Sequence, residues 1–183
     1  MLVLNVVLRE EVLRIIKKYK FHPKQEYDQN FLVDDEVLFK ILSEFRRRDR
    51  VFQVGLGLGT ISYRLASRVE ELIVYEIDQR LIEIFRKEFS KKYMRIKIFR
   101  ADALKKDWPS FNKFFSSLPF SRAEPIIRRL EEKDFEKAVL IIPESLLKKW
   151  PFDLKIEEIC KVPRESFYPI PDTSAVLVRV FKQ

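Results

Sequence analysis

Val51-Phe52-Gln53-Val54-Gly55-Leu56-Gly57-Leu58-Gly59-Thr60 holds all three glycines of the 183-residue chain. Glycine loses more conformational freedom on folding than any other residue, so a chain that avoids it elsewhere uses it here for backbone geometry. A β-branched and aromatic run leads in, and Thr60-Ile61-Ser62-Tyr63-Arg64-Leu65 leads out with helical spacing. Strand, tight turn and helix in that order bring backbone N–H groups at a helix start close to a nucleotide-like ligand.

Beyond the turn the chain alternates. Residues 72–76 read as a short buried strand, and 79–90 as a helix with Leu81, Ile82, Ile84, Phe85 and Phe89 inward. Residues 96–100 form a third strand and 113–117 a fourth, which enters a Leu118-Pro119-Phe120 turn and a helix near 123–132. Residues 138–142 are a fifth strand ended by Pro143, and two later runs, 154–160 and 174–181, are strands with a proline-rich connection. Such a series, closing with two strands and no long helix between them, predicts an α/β fold: a mostly parallel seven-stranded sheet with an antiparallel C-terminal edge hairpin. Upstream, residues 5–19 place Val6, Val7, Val12, Leu13, Ile15, Ile16 and Tyr19 on one helical face. Residues 21–28 are irregular around Pro23, and Asp34 is placed to cap a helix over 35–47 that ends in Arg46-Arg47-Arg48. Without repeat, linker or low-complexity tract, residues 1–183 read as one domain, with a helix and a covering loop at 5–33.

With 46% apolar residues the chain can bury a core, and its net charge of +8 favours a polyanionic partner such as RNA or an anionic membrane. With 35% charged residues, a solvated Lys/Arg/Glu-rich surface accounts for the charge equally well. That charge-rich, glycine-poor composition also suits a heat-tolerant source. The single cysteine, Cys160, excludes an internal disulfide and fits a reducing cytoplasm, where it reads as a small buried hydrophobe. The N-terminal apolar run breaks at Arg9-Glu10-Glu11, so neither a signal peptide nor a membrane span is expected.

In such a sheet the ligand sits beyond the C-terminal ends of the strands. The first strand ends in the glycine turn, the second in Glu76, where a carboxylate can accept both ribose hydroxyls, and the third near Asp102, placed to meet an adenine edge. A dinucleotide-binding G-x-G-x-x-G pattern would need glycine at position 60, which is threonine. The G-x-G-x-G form followed by an acidic strand end fits S-adenosylmethionine better, because that ligand has no pyrophosphate to cradle. Glu76 and Asp102 can also be read as turn or cap formers, and Asp78 as the N-cap of the helix after the second strand.

Several segments then occur together and in order: Gln29-Asn30-Phe31-Leu32-Val33-Asp34, the glycine turn, Glu76-Ile77-Asp78, Asp102-Ala103, Ser117-Leu118-Pro119-Phe120, and Phe167-Tyr168-Pro169-Ile170-Pro171 with Ser174-Ala175-Val176. In this combination the chain resembles the ribosomal RNA adenine N6,N6-dimethyltransferases of the KsgA and Erm type, from residue 10 to the end. The resemblance implies a class I S-adenosylmethionine-dependent methyltransferase fold (Rossmann-like) acting on adenine N6 of small-subunit rRNA, in the cytoplasm and as a monomer. It implies cofactor contacts from Asn30, Leu32, Gly55, Gly57, Glu76, Asp102 and Ser117. Ser117, Leu118, Pro119 and Phe120 would face the target adenine, and Phe167 would stack on it. No metal is implied, and His22 reads as a surface residue.

The chain departs from the family pattern at the acceptor turn, where Ser117 replaces asparagine and Phe120 replaces tyrosine. Gln53 stands for an acidic residue, and Asp28 for the glycine before Q-N-F-L. Asp172-Thr173 takes the place of a lysine, the segment from Glu144 to Phe152 is shortened, and the family's small helical C-terminal domain has no counterpart in these residues. A homologue weakened or inactive in methyl transfer, serving as an RNA-binding or ribosome-assembly module, is the alternative that these departures raise. Lys17, Lys18, Lys20 and Lys24 are candidate RNA contacts, whereas Arg46–Arg48, Lys91-Lys92, Arg128-Arg129 and Lys148-Lys149 read as solvated helix ends. Phe89, Phe99, Phe114 and Phe115 are expected in the core.

Overall fold

The computed structural model describes residues 7–89, 95–117 and 120–182. Its elements in chain order are α1 (Leu8–Tyr19), β1 (Phe31–Leu32), α2 (Asp35–Ser43), β2 (Arg50–Val54), α3 (Ser62–Ala66), β3 (Glu71–Glu76), α4 (Gln79–Phe89) and β4 (Ile96–Arg100). They continue with β5 (Lys113–Ser117), α5 (Ala123–Glu131), β6 (Lys137–Pro143), α6 (Glu144–Lys149), β7 (Leu154–Val162), β8 (Phe167–Tyr168) and β9 (Ala175–Lys182).

Seven strands form one sheet in the order β4-β3-β2-β5-β6-β9-β7, and β1 pairs with β8 in a separate two-stranded ribbon. The pairs from β4 through β6 are parallel. The last strand, β9, runs antiparallel to both β6 and β7, so it lies inside the sheet and β7 forms the edge. The expected hairpin is therefore present, with its second strand buried between its first strand and the parallel half.

Side chains on a strand alternate faces, and the two cores follow from that alternation. Val51 and Phe115 join the cluster under α1 to α4, while their neighbours Phe52 and Phe114 join the cluster under α5 and Trp108. Phe52 anchors the second cluster, with ring centroids 4.9 Å from Tyr75, 5.1 Å from Trp108 and 5.6 Å from Phe114. Phe89, Phe114 and Phe115 are buried as expected, whereas Phe99 is 44% exposed. Its strand, β4, is the other edge of the sheet, and there Phe99 meets the Tyr75 ring edge-on at 6.0 Å.

Two helices differ from the reading of the sequence. The buried stripe of α1 is Leu8, Val12 and Ile15, so Val7 and Leu13 are exposed; Val6 lies outside the described residues. Leu8, Val12 and Ile15 follow i, i+4, i+7 spacing, which makes a narrower seam than the broad face expected. Asp34 caps α2 through its carboxylate, accepting from Glu36 N at 3.0 Å and Val37 N at 3.1 Å. That helix stops at Ser43 rather than at 47. Glu44 is held at its end by Lys137 Nζ at 2.9 Å and by Arg179 Nη2 at 2.7 Å, and Asp49 Oδ2 accepts from Arg46 N at 2.7 Å to turn the chain into β2. Arg46, Arg47 and Arg48 therefore occupy a turn and not a helix end. Lys91 and Lys92 lie outside the described residues, while Arg128-Arg129 and Lys148-Lys149 fall in the last turns of α5 and α6 as expected. Arg129, however, is drawn inward to Ala103 O at 2.9 Å instead of being solvated.

α1 is fastened to α4 by one acid. Glu88 receives Arg14 Nη2 at 3.1 Å and Lys18 Nζ at 2.5 Å. Burial by itself would push the Glu88 carboxyl up, but the hydrogen bonds from Lys18, Tyr19 and Arg14 outweigh it and hold the group at about 2, against an ordinary 4.5. A carboxyl depressed on folding stabilises the fold above its unfolded value and loses that contribution as pH falls through the folded one. The docking of α1 should therefore be complete above pH 4.5 and weaken toward about 2. Glu88→Gln should flatten this part of the acid limb in unfolding midpoints measured against pH.

Candidate active site

One cleft opens at the C-terminal ends of β2, β3 and β5, with about 1030 Å³ of space out to its open mouth. That is room for a nucleoside-sized ligand. Asn30, Leu32, Gly55, Gly57, Glu76, Asp102 and Ser117 all line it, together with Gln53, Asp28 and Arg122.

The glycine turn takes its shape from two opposite demands. At Gly59 (φ +83°) a Cβ would stand 2.1 Å from Phe85 Cδ2, so α4 closes onto the turn only because no side chain is there. At Gly55 (φ +83°) a Cβ would meet no protein atom within 4 Å, and the missing side chain leaves the cleft floor open. Both backbones are left-handed, a conformation glycine takes without steric cost.

Glu76 holds the turn from the neighbouring strand. Its Oε2 accepts from Leu56 N at 2.7 Å and Gly57 N at 3.4 Å, and its Oε1 from Asp78 N at 2.8 Å. The side chain is 6% exposed. Burial pushes its carboxyl up, against the backbone N–H groups of Asp78, Leu56 and Gly57, which favour the ionised form. A carboxylate offers about four lone-pair sites, so three backbone bonds leave capacity for a hydroxyl donor from the cleft.

The other features of the cleft are held by side chains far apart in sequence. Gln53, 2% exposed, donates from Nε2 to Gly55 O at 2.6 Å and accepts from Ser62 Oγ at 3.1 Å. A carboxylate there would face the Gly55 carbonyl without a proton to offer it, so the amide makes this end of the turn a closed, neutral network. Asp102 Oδ1 accepts from Leu104 N at 2.9 Å, the turn-forming role weighed from the sequence, and stands 3.5 Å from Arg122 Nη1. Its second oxygen has no hydrogen-bond partner among the described residues. Asp78 caps α4 through Arg80 N at 3.0 Å, as expected, and also accepts from Gln29 Nε2 at 2.8 Å.

The covering loop is tied down at both ends. Asn30-Phe31-Leu32 is stapled to the late aromatic segment by β1 and β8, with Phe31 opposite Tyr168 and Leu32 opposite Phe167. Val33 N donates to Ser166 O at 2.8 Å, and Ser166 Oγ to Asp34 Oδ2 at 2.7 Å. This pairing puts Phe167 into the core at 3% exposure and away from the lining of the cleft, so its ring is not presented to a base as the resemblance implied. Its half-buried neighbour Tyr168 lies closer to solvent. At Asp28 the backbone is left-handed (φ +46°), and its Oδ2 accepts from Ser121 N at 2.9 Å. Aspartate is among the few non-glycine residues that tolerate this conformation.

Ser117 ends β5 opposite Ile141 and lines the cleft, and its hydroxyl has no hydrogen-bond partner among the described residues. Its neighbour Ser116 is spent structurally, donating from Oγ to Val54 O at 2.6 Å. Leu118 and Pro119 lie outside the described residues, and Phe120 is half-buried where the chain resumes. His22 is exposed. Among the described residues no cluster of His, Cys, Asp or Glu is arranged to hold a metal, and no helix is long and apolar enough to cross a membrane. Arg122 and Asp28 were not legible as site residues: Arg122 is one arginine among many, and Asp28 carried only the hint of standing for a glycine.

The sequence profile of the ribosomal RNA adenine dimethylases matches residues 20–151. The chain belongs to that family. It is 30% identical to a probable ribosomal RNA small subunit methyltransferase A of Pyrococcus furiosus, over 94% of this chain and 69% of that protein. A protein of the same description in Thermococcus kodakarensis is 35% identical over 73% of this chain and 48% of its own length. Among solved structures, a dimethyladenosine transferase from Plasmodium falciparum superposes with a TM-score of 0.77 at 22% identity, covering 84% of this chain and 63% of the other. The 23S rRNA methyltransferase ErmE gives 0.75 at 25% identity, over 84% and 70%. The fold is thus the Rossmann-like methyltransferase fold, with its antiparallel C-terminal strands.

Replacing Glu76 by glutamine keeps its size but turns an N–H donor toward backbone N–H groups. Glu76→Gln should lower stability by about 1–3 kcal/mol in urea unfolding, the usual cost of leaving buried donors unsatisfied.

Proposed function

We propose that this chain is an S-adenosylmethionine-dependent methyltransferase acting on N6 of adenine in small-subunit rRNA, working in the cytoplasm as a single-domain monomer. The observation that carries the reading is the convergence of the glycine turn, Glu76, Asp102 and Ser117 on one cleft at the strand ends.

The cleft fits the cofactor by its own chemistry. Gly55 leaves room where a Cβ would intrude, Glu76 keeps acceptor capacity for ribose hydroxyls, and one Asp102 oxygen is open to an adenine amine. Asn30 and Leu32, on the stapled loop, and Gly57 would complete the contacts with the methionine end and the backbone of the ligand. When bound, S-adenosylmethionine supplies an electrophilic methyl group on a sulfonium.

The chain's own task is to make a poor nucleophile competent. The lone pair of an exocyclic adenine amine is delocalised into the ring, and hydrogen bonds accepted from N6–H favour a pyramidal nitrogen with that pair exposed. Ser117 Oγ, without a hydrogen-bond partner among the described residues and lining the cleft, can accept one such bond. Phe120 can stack on a base drawn out of its helix. A hydroxyl reaches less far than a carboxamide, so Ser117 should support slower transfer than asparagine in its place.

The expected result is calorimetric binding of S-adenosylmethionine to the wild type, loss of that binding in Gly55→Ala with the fold retained, and labelled methyl transfer to unmethylated small-subunit rRNA. Ser117→Asn should raise the transfer rate, on the order of tenfold for one improved transition-state hydrogen bond. No binding at millimolar cofactor would end the reading. Binding without transfer in either form would instead favour the RNA-binding or assembly module suggested by Ser117 and Gln53.

A further inference from the structure

At the end of the sheet opposite the cleft, the turn before β2, the turn before β3 and the entry to β4 come together. Glu70 N donates to Asp49 O at 2.9 Å and Leu72 N to Arg95 O at 2.9 Å, which sets Arg47, Arg48, Glu70 and Arg95 around one shallow groove. All four are exposed, as is Arg68 two residues before Glu70. Among the described residues none of these arginines is in an ion pair; only Arg95 makes a side-chain hydrogen bond, to Val69 O at 3.4 Å. The neighbouring cations behave differently, since Arg50 and Lys97 lean on Glu71 and Lys113 on Glu136. The groove therefore gathers three arginines without an ion pair among the described residues, against a single carboxylate.

We propose that this groove is a second RNA-contacting surface, which grips the phosphate backbone of a structured RNA while the cleft holds the target base. The proposal rests on the reading of the chain as an rRNA methyltransferase and adds to it a demand on the substrate. Five residues of β2 separate the groove from the cleft, about 15 Å at the usual rise per strand residue. An RNA touching both ends must wrap around the domain or present two segments, which a folded subunit RNA does and a short strand does not. Arginine suits the role because its planar guanidinium engages phosphate oxygens in pairs and cannot lose its charge. Among the described residues no exposed large apolar side chain lines the groove, and its arginines favour a polyanion over an apolar protein face.

The test uses the full chain, transcribed small-subunit rRNA and a short adenine-containing single strand, with binding followed by fluorescence anisotropy across a salt series. Arg47→Ala/Arg48→Ala/Arg95→Ala should weaken binding of the long RNA on the order of tenfold at moderate salt and flatten its log–log salt slope by about two. The double variant Arg47→Ala/Arg48→Ala, which leaves the Arg95–Val69 bond in place, should show a smaller shift in the same direction. Glu70→Gln, which removes the one anion of the groove, should tighten long-RNA binding, an effect that a purely structural groove would not produce. Binding of the short strand and of S-adenosylmethionine should be unchanged in all three. Unaltered long-RNA affinity and slope in the triple variant and in Glu70→Gln would overturn the proposal, as would absence of long-RNA binding by the wild type at low salt. Because the readout is binding, loss of methyl transfer alone would fall on the functional reading and not on the groove.

Discussion

A buried carboxylate accepting three backbone N–H groups is the interaction on which the cleft depends. Glu76 reaches from the end of β3 into the turn after β2, so the two strands share one polar joint at the point where the sheet meets the ligand space. Its burial would favour the neutral acid, and the convergent N–H groups oppose that. The same group that keeps acceptor capacity at the cleft therefore also sets the geometry of the turn that lines it.

Around that joint the chain closes a ring of long-range polar contacts. Asp34 caps α2 and also receives Ser166, Asp78 caps α4 and also receives Gln29, and Asp28 reaches Ser121 across the cleft mouth. Each acid serves a local turn or helix end and a partner distant in sequence, so the covering loop is positioned by elements that would be needed in any case. The basic side chains of α1 and that loop are drawn into this framework as well: Lys18 is engaged by Glu88 and Lys24 by Glu26. Of the four lysines that the sequence offered as RNA contacts, Lys18 and Lys24 are thus engaged by acids, while Lys17 and Lys20 are in no ion pair among the described residues.

Two polar side chains that line the cleft differ in how they are held. Gln53 completes its hydrogen bonds within the protein, to Gly55 and Ser62. Ser117 presents a hydroxyl that has no hydrogen-bond partner among the described residues. A side chain closed into a network shapes the wall of the cleft, whereas one left open keeps its hydrogen-bonding capacity for a ligand.

Much of this was legible before any coordinates. Confinement of glycine to positions 55, 57 and 59, the alternation of strands and helices, and the acids at 76 and 102 determined the fold class and the end of the sheet that carries the cleft, because backbone geometry and strand-end chemistry are local properties. The helix over 79–89 and its inward residues followed from periodicity alone. What required the tertiary structure were the relations between distant segments: β9 lying inside the sheet, the β1–β8 staple that buries Phe167, the early stop of α2 at Glu44, and the reach of Asp28 to Ser121. None of these has a local signature, since each is decided by which partner a side chain or strand finds after the chain has folded back upon itself.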